Sequence, residues 1–289
     1  METIKTTPKL IKECLLDLYF DPKNKIVKWS RITNQTCQIR LAYPGQHLAS
    51  LITGVKGTGT AARGDDLSDG SEVKSCSRAD QLSECKDCQA NVLIWMNECP
   101  ECASNNIKIK TDSHWIFPIK SEDELNLLLE DVPRIVLLLF DKESNESNEI
   151  RLRAWVVDPR NAHANTFFSD YYYNNYMKKE KPAPCNLHPL QFDFFMMEPK
   201  LIFYADLVIE EMKVNIRFWD LMKPKPMEMP IALLKKEEIF SLFSKELNDG
   251  MSLSEIKREN ELLPLKKMRE LKMRQKITKT NTNIYSRRK

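Results

Sequence analysis

Several features that mark other classes of protein are absent from this sequence. No apolar run approaches the roughly 20 residues that a membrane-spanning helix needs, and the first residues are mixed and charged, unlike a signal peptide. No loop has the pattern that cradles a phosphate, and the four histidines, His47, His114, His163 and His188, have no visible pairing with a nucleophile. We therefore expect a soluble intracellular protein and find no support for a cysteine protease or a phosphatase.

A large excess of one sign of charge is also absent. The chain has 44 basic and 41 acidic residues, so its formal net charge is only +3. The distribution is nevertheless uneven, and residues 257–289 are strongly basic. Such a region can neutralise DNA phosphates and release counterions, which gives affinity without sequence preference. A solvated, partly disordered tail is the alternative interpretation.

An acidic segment precedes a short strand pattern at residues 65–74, Asp-Asp-Leu-Ser-Asp-Gly-Ser-Glu-Val-Lys. Because the side chains of a strand alternate between two faces, Glu72 and Lys74 project to one side and Val73 to the other. The Asp-Gly pair predicts a tight turn, since both residues tolerate positive φ. The predicted hairpin brings an upstream aspartate beside Glu72.

The length of that turn determines which aspartate lies on the same face as Glu72 and Lys74. A two-residue turn places Asp65 opposite Lys74, on the same face of the hairpin. A three-residue loop instead places Asp66 opposite Glu72 and sends Asp65 to the other face. Asp66 and, as the alternative, Asp65 therefore both stay candidates.

These residue types suit the hydrolysis of a phosphodiester. Asp66 and Glu72 can hold Mg²⁺ through carboxylate oxygens and leave positions for water and for a phosphate oxygen. Lys74 would hold or help to deprotonate the attacking water and stabilise the pentacoordinate phosphorus. The alternative is a surface ion pair between Glu72 and Lys74 beside ordinary turn residues. We predict that Asp66, Glu72 and Lys74 are catalytic.

Two Cys-x-x-Cys pairs follow, Cys85 with Cys88 and Cys99 with Cys102. This spacing is typical of a zinc ribbon, in which four thiolates close a tetrahedral shell and the metal is structural. Disulfide bonds are the alternative, but nothing indicates an oxidising compartment. The other cysteines have no ligand spacing and are interpreted as small core residues. These are Cys14, Cys37, Cys76 and Cys185.

The order of elements in the middle of the chain predicts an α/β fold. Residues 135–140 are apolar on both faces and should form a central strand in a covered sheet. We expect a central mixed sheet flanked by helices, with the zinc ribbon inserted at residues 85–102. The other predicted elements are helices at residues 46–53 and 122–131 and strands at residues 114–119, 134–140 and 150–157.

The carboxyl-terminal part predicts a helical basic region. Residues 234–247 form an amphipathic pattern, an Asn-Asp-Gly turn follows, and a capping sequence at residues 252–255 opens another helix, as in a helix-turn-helix. Residues 265–274 would form the next helix, a candidate for the major groove of DNA. The predicted DNA-binding residues there are Lys266, Lys267, Arg269, Lys272 and Arg274.

A resemblance to a known family rests on residues 58–76, on both Cys-x-x-Cys pairs and on the run Asp-Ser-His-Trp at residues 112–115. Together they resemble the MamI-type restriction endonucleases over about residues 41–160. The resemblance implies a type II restriction enzyme of the PD-(D/E)xK superfamily, with a restriction-endonuclease-like fold. It also implies Mg²⁺-dependent cleavage of duplex DNA at an interrupted palindrome such as GATNNNNATC.

The superfamily motif falls on Asp66 or Asp65, Glu72 and Lys74. The proline that often precedes the aspartate is replaced here by Gly64 or Asp65. The resemblance further implies a symmetric homodimer, a cognate DNA methyltransferase in the same system, and the cytoplasm of a bacterial or archaeal cell.

We expect four regions along the chain. They are an N-terminal helical segment at residues 1–40, a nuclease core at 41–160, the rest of the core with DNA recognition at 161–230, and the basic region at 231–289. Two other functions remain alternatives. One is a non-catalytic zinc-ribbon regulator that binds DNA, and the other is a repair nickase with the same metal site but acting as a monomer.

Overall fold

The computed structural model describes residues 3–59, 66–110, 112–142, 149–189, 191–227, 229–230 and 262–263. Asp65, the predicted helix-turn-helix and the basic residues of 265–274 lie outside these ranges. Within them, none of the helices combines the length and the apolar character that crossing a bilayer requires. The division into four regions stays a prediction.

The helices of the described residues are α1 (Pro8–Leu15), α2 (Asp21–Thr33), α3 (Ala42–Thr53), α4 (Glu122–Asn126), α5 (Ala162–Tyr171) and α6 (Phe192–Met196). Leu16–Phe20, Leu127–Asp131 and Tyr172–Tyr176 extend α1, α4 and α5 as π-helical turns. The predicted helix at residues 122–131 is thus confirmed but is only partly α-helical. α3 begins four residues earlier than expected and includes Pro44 in its first turn. A proline is tolerated there because the N–H that it lacks would have no hydrogen-bond partner in the first turn of a helix.

The strands are β1 (Glu72–Ser77), β2 (Ser83–Cys85), β3 (Asn91–Val92), β4 (Ile107–Ile109), β5 (Trp115–Phe117), β6 (Ile135–Lys142), β7 (Glu149–Val157), β8 (Cys185–Leu187), β9 (Lys200–Val208), β10 (Lys213–Trp219), β11 (Lys225–Pro226), β12 (Met229–Pro230) and β13 (Leu262–Leu263).

The main sheet has the strand order β1-β6-β7-β9-β10, and β11 pairs with β9. Only β1 and β6 run parallel, and the other pairs are antiparallel, so the sheet is mixed. β6 is buried on both faces except at its last residue, which confirms the prediction of a central strand. β1 lies at the end of the described sheet, and Glu72 is aligned with Ile135 at the start of β6.

Helices cover both faces of this sheet. On one face, α1 and α3 pack on Val73, Val136 and Leu138. On the other face, α4, α5 and α6 pack on Leu137 and Leu139, together with the small sheet of β5 and β8. The predicted α/β architecture, a central mixed sheet flanked by helices, is therefore confirmed.

The aromatic cluster near residue 170 belongs mainly to the second of these layers. Phe168 and Tyr172 are buried there, whereas Tyr173 is exposed. The buried members of this cluster are therefore part of the core.

Most of the upstream arm of the predicted hairpin, including Asp65, lies outside the described residues, so that arm stays a prediction. Of the described residues before the turn, Leu67 forms an isolated bridge with Gly57. The turn itself is present, and its geometry is part of the candidate site.

Candidate active site and cysteine cluster

The turn that leads into β1 is a three-residue loop. The Leu67 N–H donates to the Ser71 carbonyl at 3.2 Å, and the Gly70 N–H donates to the Leu67 carbonyl at 2.9 Å. Gly70 has a φ of +83°, which favours glycine. Arg134, just before β6, fixes the loop by donating to the Asp69 carboxylate at 2.8 Å and to the Ser71 hydroxyl at 3.0 Å. This arrangement favours the three-residue alternative, which selects Asp66.

Asp66 lies against the outer edge of β1. The Glu72 N–H donates to the Arg134 carbonyl at 3.2 Å, so the next N–H, that of Val73, points away from β6. It donates to Asp66 Oδ2 at 2.7 Å. Asp66 Oδ1 accepts a hydrogen bond from the Gln46 side chain of α3. Asp66 is therefore held beside the first residues of the strand from two directions.

Glu72 and Lys74 share a face of β1, as the strand period predicts. Lys74 Nζ forms an ion pair with Glu72 Oε1, and the two side chains are 20% and 12% exposed. The Lys74 ammonium also lies 5.7 Å from the centre of the buried Phe117 ring, a cation–π distance. A small cleft of about 70 Å³ adjoins the pair. Its apolar wall comes from the end of β5 and the two residues after it and from the π-helical turn that follows α4, and Glu124 of α4 also lines it.

The electrostatics of Asp66 indicate crowded carboxylates. Burial raises the pKa of Asp66, and the negative charge of Glu72 raises it further. The Val73 N–H, the Lys74 ammonium and the Gln46 amide act in the opposite direction without cancelling the rise. A partly buried carboxylate whose pKa is raised in part by a neighbouring carboxylate belongs to a donor set that a divalent cation would stabilise.

Gln46 is a site residue that the sequence patterns did not indicate. Its position follows from a close approach between α3 and β1 at Gly45, where an added Cβ would lie 2.6 Å from Ser75 Cβ. The Ser75 hydroxyl also donates to the Leu41 carbonyl at 2.6 Å, just before α3 begins. Gly45 inside the helix could have indicated this contact, because a glycine within a helix often marks a close approach to another backbone segment.

The four predicted cysteines converge on one point. The Sγ atoms of Cys85, Cys88, Cys99 and Cys102 all lie within 4.8 Å of one another. The separations between the two knuckles include 3.6 Å for Cys85 with Cys102 and 3.5 Å for Cys88 with Cys99. Zinc–sulfur bonds of about 2.3 Å in a tetrahedron would separate sulfurs by about 3.8 Å. The cluster therefore has the dimensions of a four-thiolate metal site.

The two knuckles have the same backbone geometry. The Gln89 N–H donates to the Cys85 carbonyl and the Ala103 N–H to the Cys99 carbonyl, both at 2.9 Å. Gln89 and Ala103 also both have positive φ, at 64° and 56°. The backbone N–H of Cys88 is the largest influence that lowers the pKa of Cys85, to about 7, which favours its thiolate. Neighbouring thiols of the cluster raise the pKa of Cys88 and of Cys102, against the lowering effect of backbone N–H groups.

The cysteine module is attached to the N-terminal helices. The Trp95 indole N–H, between the two knuckles, donates to the Ser30 hydroxyl of α2 at 3.0 Å. The Arg31 guanidinium lies 5.8 Å from the centre of the Trp95 ring. Closer to β1, Lys23 of α2 forms a buried ion pair with Asp80. The module is thus joined to the end of β1 and packed on α2.

The other predicted residues have simpler roles. Cys37, Cys76 and Cys185 are buried, which confirms them as core, whereas Cys14 is only partly buried. Burial raises the pKa of Cys185 to about 12. His163 lies 3.0 Å from the Asp193 carboxylate, a contact between distant segments that the sequence did not indicate.

The other histidines lie in three settings. His114 Nδ1 is 3.1 Å from the Asp112 carbonyl, and the His114 ring packs against His188. His47 is exposed on α3.

Comparison with known proteins identifies the family. A family model described as MamI restriction endonuclease matches residues 28–236. The chain belongs to this family. The match includes the candidate site and the whole cysteine cluster of this MamI-family chain, and it ends before the basic residues of 265–274.

One curated relative of this MamI-family chain is the Type II restriction enzyme MamI of Microbacterium ammoniaphilum. It is 29% identical over 154 residues, which cover 52% of this chain and 44% of that enzyme. The similarity thus spans less than half of the relative. No solved structure matches this MamI-family chain.

Proposed function

We propose that this chain is a Mg²⁺-dependent type II restriction endonuclease that hydrolyses both strands of DNA at a specific site. The observation that carries the proposal is the arrangement of Asp66, Glu72 and Lys74 at the outer edge of a mixed sheet, in a chain of the MamI family. This arrangement also supports membership of the PD-(D/E)xK superfamily. Asp66 takes the aspartate position, since its carboxylate reaches β1 beside Glu72.

The chemistry divides among the three side chains. Asp66 and Glu72 hold Mg²⁺. The raised pKa of Asp66 beside Glu72 supports this role, because a bound cation would compensate the two neighbouring negative charges. When bound, Mg²⁺ lowers the pKa of a water molecule and offsets charge on the phosphate. Lys74 orients the attacking water and stabilises the negative charge that develops on the phosphorus oxygens. Phe117 keeps the Lys74 ammonium near the carboxylates.

The cysteine cluster holds one structural zinc ion in this proposal. Four thiolates leave no open position for a substrate or for water, so the metal stabilises the fold and takes no part in catalysis. The matching backbone geometry of the two knuckles supports this assignment.

The assembly follows from the reaction. Two strands of opposite direction present the same sequence in a palindrome, so a symmetric homodimer can place one site on each strand. The proposed target is an interrupted palindrome of the GATNNNNATC type. The proposed partner is a cognate DNA methyltransferase that protects the same sequence. Basic residues of 265–274 are proposed to contact DNA phosphates.

The test is incubation of the purified protein with supercoiled plasmid and Mg²⁺, followed by gel electrophoresis and sequencing of the ends. Glu72→Ala should leave the plasmid intact but still bind DNA, because positioning contacts lie elsewhere. Glu84→Ala is the matched control, since it removes a glutamate of an exposed ion pair with Lys110. The expected result is discrete linear fragments from the wild type and the control alone.

Other products would select the alternatives. Open circles without linear fragments, from a protein that is monomeric by light scattering, would indicate a nickase. Plasmid that is bound but never cut would indicate a zinc-ribbon regulator. Cleavage that survives Glu72→Ala would refute the assignment of the active site.

A further inference from the structure

A second surface adjoins Asp66 and has no role in the site described above. It is a cavity of about 390 Å³ between α3 and the segments around Gly57 and Asp66. We propose that this cavity binds the sugar–phosphate backbone of the DNA strand being cut, next to the scissile phosphate. The proposal rests on the proposed endonuclease function and assigns part of its substrate site.

The α3 helix has two opposite faces. Gly45, Leu48, Ala49 and Ile52 are buried and face the sheet. Tyr43, Gln46, His47 and Ser50 repeat the same helical spacing on the other side, and all four line the cavity. We call these four residues the polar face of α3. A helix that packs through one face thus presents four hydrogen-bonding side chains to the space beside Asp66.

The size of the cavity and the hydrogen-bonding side chains along one wall fit a segment of a larger ligand. Its volume lies within the range of roughly 300–1,000 Å³ that ligand pockets have. By contrast, the cleft beside Glu72 and Lys74 has only about 70 Å³. Of these two spaces beside the candidate site, the polar face of α3 therefore borders the one with room for the substrate.

The wall opposite α3 has little side-chain bulk. Gly57 and Gly59 line it, and a Cβ added at Gly59 would have no atom within 4 Å. Glycine at such positions allows the backbone of a ligand to come close. The cavity also adjoins a second one, of about 480 Å³, that shares His47, Ser50 and Gly57. Lys56 and Asp17 line the second cavity but are not among the described residues that line the first.

The side chains of the polar face match one chemistry in particular. Tyrosine, glutamine and serine side chains are common donors to DNA phosphates and sugars, where they position the duplex without reading its sequence. Tyr43 is 68% exposed, and no side-chain hydrogen bond of its hydroxyl is seen among the described residues. Gln46 already donates to Asp66, so Tyr43 and Ser50 are the donors assigned to the phosphodiester.

Charge explains why the ligand must be part of a metal-bound substrate. No lysine or arginine lines this cavity among the described residues, and Asp66 contributes a carboxylate. A free phosphate would be repelled, whereas a DNA strand held at the metal brings its next phosphodiester to neutral donors. The cavity therefore contributes to DNA binding only together with a divalent cation.

The test measures DNA binding in the presence of Ca²⁺, with a fluorescent duplex of mixed sequence, so it does not depend on cleavage. The variant is Tyr43→Phe combined with Ser50→Ala, which removes two hydroxyls. Tyr173→Phe is the matched control, because it removes a tyrosine hydroxyl that donates to Glu122 on another surface. Thermal unfolding confirms that each variant is folded.

We expect the double variant to bind roughly tenfold more weakly, since a hydrogen bond to a charged group contributes at least that much. The slope of log K against log salt should not change, because neutral donors release no counterions. The loss should disappear when EDTA replaces Ca²⁺. The proposal would be overturned if the double variant bound DNA as tightly as Tyr173→Phe does. It would also be overturned if the double variant lost as much affinity in EDTA as in Ca²⁺. Failure of the plasmid assay with an intact Ca²⁺-dependent loss would instead refute cleavage while the binding site stands.

Discussion

Replacement of Gly45 by alanine should separate α3 from β1 and disable the site without touching a candidate catalytic residue. An alanine Cβ would lie 2.6 Å from Ser75 Cβ, whereas ordinary contacts begin near 3.4 Å, so the two backbones must move apart by about 0.8 Å. Overpacking of this kind costs about 1–3 kcal/mol, which corresponds to a fall in Tm of roughly 2–12 °C for a chain of this size.

The same displacement carries Gln46 away from Asp66. A misplacement near 1 Å in an active site can lower the rate about 100-fold, so plasmid cleavage should fall by that order. Ser75→Gly in the Gly45→Ala background should recover part of the Tm and of the activity, because it removes the opposing Cβ. Ser75→Ala should not, since it keeps that atom. Gly45→Ala with wild-type Tm and wild-type cleavage would refute the proposed packing of α3.

Three further predictions concern charge and metal. Asp66→Asn should stabilise the metal-free protein at neutral pH and abolish cleavage. Burial and Glu72 raise the pKa of Asp66 above its ordinary value of 3.8, so the wild type loses stability as the pH rises through the raised value. Unfolding by urea at several pH values measures this, and equal pH dependence in both proteins would contradict it. Removal of zinc by a chelator, or Cys99→Ser, should lower Tm and release one zinc ion per chain by mass spectrometry; a stable, active, zinc-free variant would overturn the structural role. Lys23→Met should lower the free energy of unfolding, measured in urea, by about 3–5 kcal/mol, because it leaves Asp80 buried without its cation. The double variant Lys23→Met with Asp80→Asn should recover part of that free energy.

Local patterns in the sequence predict the parts of the site that depend on one strand or one short loop. The common face of Glu72 and Lys74 follows from the two-residue period of a strand, and the cysteine cluster follows from the spacing of its knuckles. The buried centre of the sheet follows from the apolar run of β6.

Contacts between distant segments could not be read from these patterns. Gln46 reaches Asp66 only because α3 docks on β1, and no periodicity within α3 indicates which strand it will meet. Leu67, just before the turn, forms a bridge with Gly57, a partner that the turn signal does not indicate. Two long strands, β9 and β10, have no counterpart among the expected elements. β9 joins the sheet through an antiparallel pair with β7, which lies much earlier in the chain, and local sequence specifies such a pair weakly. β10 follows β9 directly as an antiparallel hairpin.

The position of the site at the edge of the sheet has a physical reason. An edge strand leaves backbone donors without partners, and here one of them, the Val73 N–H, is satisfied by the Asp66 carboxylate. The strand edge thereby fixes the proposed metal-binding carboxylate through the main chain. β1 is also held at both ends. Arg134 fixes the turn before it, and the buried pair of Lys23 with Asp80 fixes the chain after it.

The cysteine module adds to the support that the Lys23–Asp80 pair gives to the end of β1. It follows β1 within a few residues and is bonded to α2 through Trp95, so a metal in the module would limit the movement of the strand that carries Glu72 and Lys74. Positioned carboxylates need such support from the surrounding structure. Loss of zinc should therefore weaken cleavage even at temperatures where the protein remains folded, and plasmid cleavage at low temperature after partial chelation would measure it. Full activity per folded molecule after zinc loss would show that the module stabilises the fold alone.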